Sequence, residues 1–211
     1  MLEAVQNDSH QHKPFQGLRK VYHVLASSVF PLAYLYLPLD LTNDSCRRLL
    51  LAISGVCFVI SFLLDLLRLR DKRFNSRFMN LFSFLIRRTE ENKFNGSTFL
   101  CFAFFAVIFF FSRKVAITAM LFLSLGDAAA ELGGRYFGRI RLWGKSAEGT
   151  FAFFLVAFVI ALTLLDNWQI ALLGALAGAL VELFSFDLDD NLTVPIGSAL
   201  ALWLAPLLFH F

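Results

Sequence analysis

Charge is scarce in this chain of 211 residues. Asp, Glu, Lys and Arg make up 17% of it, where an ordinary soluble domain carries about a quarter. A solvated globular domain is thereby excluded, and no nucleic-acid partner is expected. Cysteine is rarer still: Cys46, Cys57 and Cys101 are scattered without metal-ligand spacing, and the latter two sit in apolar runs as buried free thiols. The polar first sixteen residues contain His10, His12 and Pro14 and do not read as a cleavable signal peptide. No internal duplication or domain boundary is visible. The expected organisation is a polar tail over residues 1–17 and a single membrane-embedded domain over 18–211.

What the chain has in abundance is apolar sequence. Hydrophobic residues reach 58%, Phe alone occurs 26 times, and the mean hydropathy is +0.66. This is the composition of a polytopic membrane protein, all-α because only helices and closed barrels satisfy their backbone in lipid. Seven candidate spans follow, over residues 21–39, 49–67, 98–111, 115–130, 151–165, 170–186 and 194–209. Several fall short of the roughly 20 residues of a straight span, the third and fifth most conspicuously. Residues 74–86 are apolar but short, carry Arg77 and have basic neighbours. They predict an amphipathic helix lying on the membrane surface.

Basic residues fix an orientation. With the N-terminus inside, only Arg47, Arg48, Arg113 and Lys114 of the 19 Lys and Arg fall outside. The positive-inside rule therefore selects N-in and C-out. The polar loops then gather at one cytosolic face, where a soluble reagent can meet a membrane-borne one.

The richest stretch is residues 124–150, SLGDAAAELGGRYFGRIRLWGKSAEGT. Asp127 and Glu131 are four apart, on one helix face. Acids at the end of a span are costly and tend to be functional. Glycines then alternate with Arg135, Arg139, Arg141 and Lys145. A glycine-rich turn lets backbone N–H groups approach phosphate, and the cations supply counter-charge. The pattern predicts a site for a divalent cation and a polyphosphate.

Other polar residues cluster around it. Arg19, Lys20 and His23 open the first span. Asp65 precedes Arg68 by three, the spacing of a helical ion pair. Glu90, Asn95 and Gly96 lead into the third span and are candidates for a headgroup or nucleotide site. Glu182 lies deep in an apolar run behind Gly174 and Gly178, whose spacing permits close helix packing. Asp187, Asp189, Asp190 and Asn191 form an acidic turn on a face where basic turns are the rule. An acidic turn opposite a basic, glycine-rich loop suggests a divalent ion bridging phosphates.

GDAAAELGGRYFG followed by GKSAEGT resembles the nucleotide-site signature of the CTP-dependent lipid kinases, the diacylglycerol, dolichol and phytol kinases. LRKVYH, the pair DLLRLRDKRFN and IRRTEENKFNGST, and ALVELFSFDLDDNLTVPIGS resemble further blocks in the same order, so the similarity runs over residues 18–201. The last block is most typical of the diacylglycerol kinase branch. The resemblance implies transfer of the γ-phosphate of CTP to a lipid hydroxyl with Mg²⁺ or another divalent cation. Diacylglycerol is the expected acceptor, with a polyprenol, dolichol or phytol-type alcohol as variants.

By position, the resemblance makes Asp127 the principal acid, as catalytic group or metal ligand, with Glu131 behind it. Gly126, Gly134, Arg135, Gly138, Lys145, Ser146 and Asn191 would hold the nucleotide. Lys145 and Glu148 would also serve catalysis, Glu148 by supporting the loop or the metal. Asp190 and Glu182 would complete the metal site. Arg19, Lys20, His23, Asp65, Glu90 and Asn95 would face the substrate headgroup. Pattern alone leaves open which acid takes the hydroxyl proton. The related phosphatidate cytidylyltransferases carry GDT where this chain has Gly126-Asp127-Ala128, and a DRxD-like signature where it has Asp189-Asp190-Asn191. These departures argue against CDP-lipid synthesis, the alternative within the clan. A small lipid transporter is the alternative of another class, but it should place polar groups near the midplane and use both faces. The expected location is a bacterial inner membrane or an endoplasmic reticulum, with the active site towards the cytosol.

Overall fold

The computed structural model describes residues 17–37, 43–82, 90–185 and 188–208. Apart from one two-stranded hairpin, the regular structure there is helical: α1 (Gly17–Tyr36), α2 (Asn43–Arg70), α3 (Lys72–Leu81), α4 (Gly96–Phe110), α5 (Arg113–Leu121), a π-helical turn (Phe122–Gly126), α6 (Asp127–Tyr136), β1 (Arg141–Leu142), β2 (Lys145–Ser146), α7 (Ala147–Leu164), α8 (Trp168–Leu183) and α9 (Asp190–Leu208). Each of the seven apolar segments forms a helix within its described residues. Among the described residues four stretches are long and apolar enough to cross a membrane: Ser45–Arg70, Arg113–Tyr136, Ala147–Leu164 and Asp190–Leu208. The fifth predicted span is thus longer than its apolar run, because Ala147–Thr150 extend it. The third, α4, has 15 residues, and the sixth, α8, has 16.

The fused helix α5–π–α6 is the centre of the bundle. Its apolar window is 61% buried, whereas that of α2 is only 17% buried. Met120, Phe122 and Leu123 on it pack with Phe104, Val107 and Phe153 at zero exposure. Small residues bring the neighbours close, as in many membrane bundles. A Cβ at Gly178 would stand 3.0 Å from Ser198 Oγ and 3.1 Å from the Phe122 ring. The long exposed apolar rows of α1 and α2, among them Leu25, Val29, Val56 and Val59, suit a lipid environment.

The π turn was not expected. Residues 115–130 read as one continuous span, yet a wide turn sits directly before Asp127. Such turns are rare and recur at functional sites. The predicted surface helix forms over Lys72–Leu81, capped by Asp71, which accepts from Arg73 N at 2.8 Å. Its expected continuation over residues 83–86 lies outside the described residues, as do Arg87, Arg88 and Asp187.

Candidate active site at one end of the bundle

Lys145 is the hub. It stands on β2, which pairs antiparallel with β1 across a tight turn at Trp143 (φ 46°) and Gly144 (φ 87°). Gly144 takes a left-handed conformation that costs a residue without Cβ little. The hairpin projects Lys145 onto the C-terminal end of α8. Its Nζ lies 2.9 Å from Glu182 Oε1 and donates to the Glu182 carbonyl and to Ser185 Oγ (3.1 Å). It also reaches both carboxylate oxygens of Asp190, at 3.2 Å, from the first turn of α9. A helix C-terminus and two acids favour a cation there. Burial works against the charge of Lys145, but Asp190 and Glu182 outweigh it, so its pKa is raised above the usual 10.5.

Glu182 is almost fully buried, and both its oxygens are engaged, the second by Thr150 Oγ1 at 3.2 Å. The hairpin thus meets two elements distant from it in sequence, the end of α8 and the start of α9, in one polar locus. Thr150 and Ser185 were not among the residues read from sequence. The available signal was spacing, since Ser185 follows Glu182 by three and closes the same helix end.

Glu131 and Asp127 share α6, as their spacing required. Glu131 forms an ion pair with Lys20 of α1. The two acids therefore are not a bare like-charge pair: another helix supplies a cation. Asp127 is half-buried, one residue after Gly126, whose added Cβ would stand 2.8 Å from the Phe153 ring. His23 is half-buried one turn beyond Lys20. Arg19 is on α1, and its side chain lies outside the described residues.

The glycines do more packing than cradling. A Cβ on Gly133 would stand 2.7 Å from Ala152 Cβ, and one on Gly134 would stand 2.6 Å from Ser146 Oγ. They let α6 and α7 cross in contact. Gly138 lies beside the same serine, 3.1 Å from Ser146 Cβ for an added Cβ. Ser146 itself caps α7, accepting from Gly149 N at 3.1 Å. Glu148 accepts from the backbone N–H of Arg139 (3.0 Å) and Ile140 (3.1 Å), so it ties down the arginine loop. Arg139 is exposed in that loop, with Arg135 exposed in the last turn of α6 before it and Arg141 exposed on β1 after it. On the outer side of the crossing runs an apolar groove of about 680 Å³, lined by Leu132, Phe137, Phe151 and Leu155 among others. Its α6 positions lie opposite Asp127, Glu131 and Arg135 on the helix.

Asp65 is not an open headgroup contact. It is 2% exposed, and its oxygens serve Arg68 Nε (2.6 Å), Asn95 N (2.8 Å) and Thr98 Oγ1 (2.7 Å). Asn95 caps α4 through Ser97 N, and Glu90 gives its carbonyl to Arg68 at 2.9 Å. Asn191 lies in the first turn of α9, its amide against Gly96.

No cluster of three or more His, Cys, Asp or Glu that could hold a metal ion is present among the described residues. The predicted trio of Asp127, Asp190 and Glu182 is therefore not a closed cage. Glu182 and Asp190 do converge on one cation, the Lys145 ammonium. Hard oxygen donors of this kind suit Mg²⁺ arriving on a polyphosphate, which needs only one or two protein carboxylates. In that limited sense the residues fit the metal.

An apolar helical bundle with four helices, among the described residues, long and apolar enough to cross a membrane marks a membrane protein, and at one end of it Lys145 meets the acids Glu182 and Asp190. Three comparisons make this specific. The chain is 30% identical over 213 residues to CTP-dependent diacylglycerol kinase 1 of Eremothecium gossypii, covering 86% of this chain and 64% of that protein. It is 29% identical to the Saccharomyces cerevisiae protein of the same name, covering 86% and 70%. Over 109 residues it is 37% identical to a phytol kinase of Synechocystis, covering 44% and 47%. These named relatives, CTP-dependent diacylglycerol kinases and a phytol kinase, support a CTP-dependent lipid kinase family for the chain. No family model and no solved structure matches it.

Proposed function

We propose that the chain transfers the γ-phosphate of CTP to the hydroxyl of a membrane lipid, diacylglycerol first among them, giving phosphatidate and CDP. The observation that carries this reading is Lys145 held between Glu182 and Asp190 at the end of a membrane bundle, in a chain related to kinases of that name. The acceptor oxygen attacks the γ-phosphorus, the bond to the bridging β,γ-oxygen breaks, and CDP leaves with that electron pair. The hydroxyl proton passes to a carboxylate, with Asp127 as our assignment. Lys145 and Arg135 bind triphosphate oxygens, while Glu148 holds the arginine loop in place. Lys145 can turn from its two acids to the phosphates, which frees Asp190 for Mg²⁺. Bound Mg²⁺ would neutralise charge on the triphosphate. Phosphoryl transfer needs little beyond such alignment and neutralisation.

In this reading all seven apolar helices span the bilayer, α4 and α8 with local thinning or in contact with longer neighbours. The polar end faces the cytosol, by the distribution of Lys and Arg. Lys20 and His23 stand beside the lipid headgroup. The test is purified protein with CTP labelled at the γ- or α-phosphate, with ATP as competitor, and with diacylglycerol, an undecaprenol-type alcohol and phytol as acceptors. The γ-label is expected in the lipid. Entry of the α-label instead would mean cytidylyl transfer. No labelled lipid with any nucleotide would overturn the proposal.

A further inference from the structure

One polar cluster has no part in that chemistry. Arg68, at zero exposure, donates from Nε to Asp65 Oδ1 (2.6 Å), from Nη1 to the Glu90 carbonyl (2.9 Å) and from Nη2 to the Lys93 carbonyl. Asn75 of α3 adds a hydrogen bond to the Glu91 carbonyl at 2.9 Å. Asp65 Oδ2 holds the other side of the loop, at Asn95 N and Thr98 Oγ1. One guanidinium thus gathers residues 90–93, and one carboxylate fixes the start of α4 to α2. A buried ion pair seldom adds net stability over apolar packing of the same volume. What this one specifies is position, and the residue it positions is Gly96.

Gly96 has no backbone reason to be glycine. Among the described residues Gly144 is the glycine with positive φ, and Gly96 simply begins a helix. It has a spatial reason. A Cβ there would lie 2.7 Å from Asn191 Nδ2 and 3.5 Å from Asp189 Oδ2. Asn191 directly follows Asp190, whose carboxylate contacts Lys145. We infer that Gly96, held by the Asp65–Arg68 clamp, is a positioning residue that seats the Asn191 amide at the nucleotide site. This inference rests on the kinase reading and adds a further helix, α4, to the parts that set nucleotide affinity. A methyl group at residue 96 evicts the amide, because a terminal side-chain atom yields more easily than backbone.

The experiment is a double-mutant cycle with Gly96→Ala, Asn191→Ala and both, with Ser97→Ala as the exposed control. CTP affinity is measured by calorimetry without lipid, alongside kcat and KM for CTP and diacylglycerol. Gly96→Ala is expected to weaken CTP binding about tenfold, the loss of a hydrogen bond, leaving Tm and the lipid KM unchanged. The double variant is expected to bind no more weakly than Asn191→Ala alone, because the added methyl then meets only Asp189 Oδ2, at ordinary van der Waals distance. Wild-type affinity in Gly96→Ala, or deficits that multiply, would overturn the inference. So would a loss that moves lipid KM along with CTP affinity, or a fall in Tm that the double variant does not recover. If Gly96→Ala is too unstable to purify, recovery of Tm in the double variant supports the fit, and no recovery overturns it. If wild type binds no CTP, the kinase reading fails on its own. Seating is then read from the ¹⁵N-labelled Asn191 side-chain amide, which must shift in Gly96→Ala and not in Ser97→Ala.

Discussion

The two ends of the bundle use their cations differently. At one end Arg47 donates to the carbonyls of Ile108 (3.1 Å) and Phe109 (2.5 Å), the last turn of α4. Arg113 donates to the Tyr34 carbonyl at 3.0 Å, closing α1, with its guanidinium 5.3 Å from the Tyr34 ring centroid. Lys114 meets Asp166 in an exposed pair. At the other end Lys20, Arg68 and Lys145 each face a carboxylate, and Lys145 faces two. Arg47 and Arg113 satisfy orphan helix carbonyls and complement the helix dipole. A carbonyl cap is finished chemistry. A lysine between two acids is exchangeable, because an incoming phosphate can replace the acids as its partner.

This contrast can be broken experimentally, the largest effect first. Lys145→Ala should cut γ-label transfer on the order of 10²- to 10³-fold, as loss of one preorganised electrostatic contact does. A variant that retained full turnover would remove Lys145 from the site. Arg68→Ala leaves Asp65 buried and unpaired, which should lower unfolding free energy by about 3–5 kcal/mol. Denaturation in detergent measures this, and an unchanged midpoint would contradict the clamp. Arg113→Gln should cost about 1.5–3 kcal/mol of stability with kcat of the folded fraction unchanged. If it abolished turnover without unfolding, the two ends would not be separate in function.

The pH dependence sharpens the same point. The Lys145 pKa is raised above 10.5 in the fold, so its contribution to stability is complete below pH 10.5 and is lost as pH rises through the folded value. The Tm difference between wild type and Lys145→Met should be flat through neutral pH and shrink only above about pH 10.5. The smallest effect belongs to Lys114→Ala. Both partners of that pair are largely exposed, and its Tm should match wild type.

Much of this was legible in the chain. Run length and polarity located every apolar helix and the amphipathic α3, because burial in lipid leaves a continuous apolar signal. The i,i+3 spacing of Asp65 and Arg68 anticipated their pair. Lys145, Glu182 and Asp190 were each singled out, but their convergence was not readable, since it depends on how the hairpin meets the end of α8. Glu131 looked uncompensated because its partner Lys20 is more than a hundred residues away. Gly133 and Gly134 looked like a phosphate cradle, and glycine composition alone does not distinguish a loop from a helix crossing. Arg47 and Arg113 were counted as exceptions to a charge rule, when their hydrogen-bond partners are backbone atoms with no sequence signature. The π turn likewise left no mark in the hydropathy.

That turn carries a consequence of its own. The wide segment Phe122–Gly126 stores one residue more than an ordinary helical turn would hold, between Phe122 in the core and Gly126 against Phe153. Rewinding it as a regular helix with all its residues kept would swing everything downstream by about 100° about the helix axis. Asp127 would then aim elsewhere, although no polar atom had been changed. The bearing of Asp127 is therefore set by how this segment winds and not by the chemistry of its side chains.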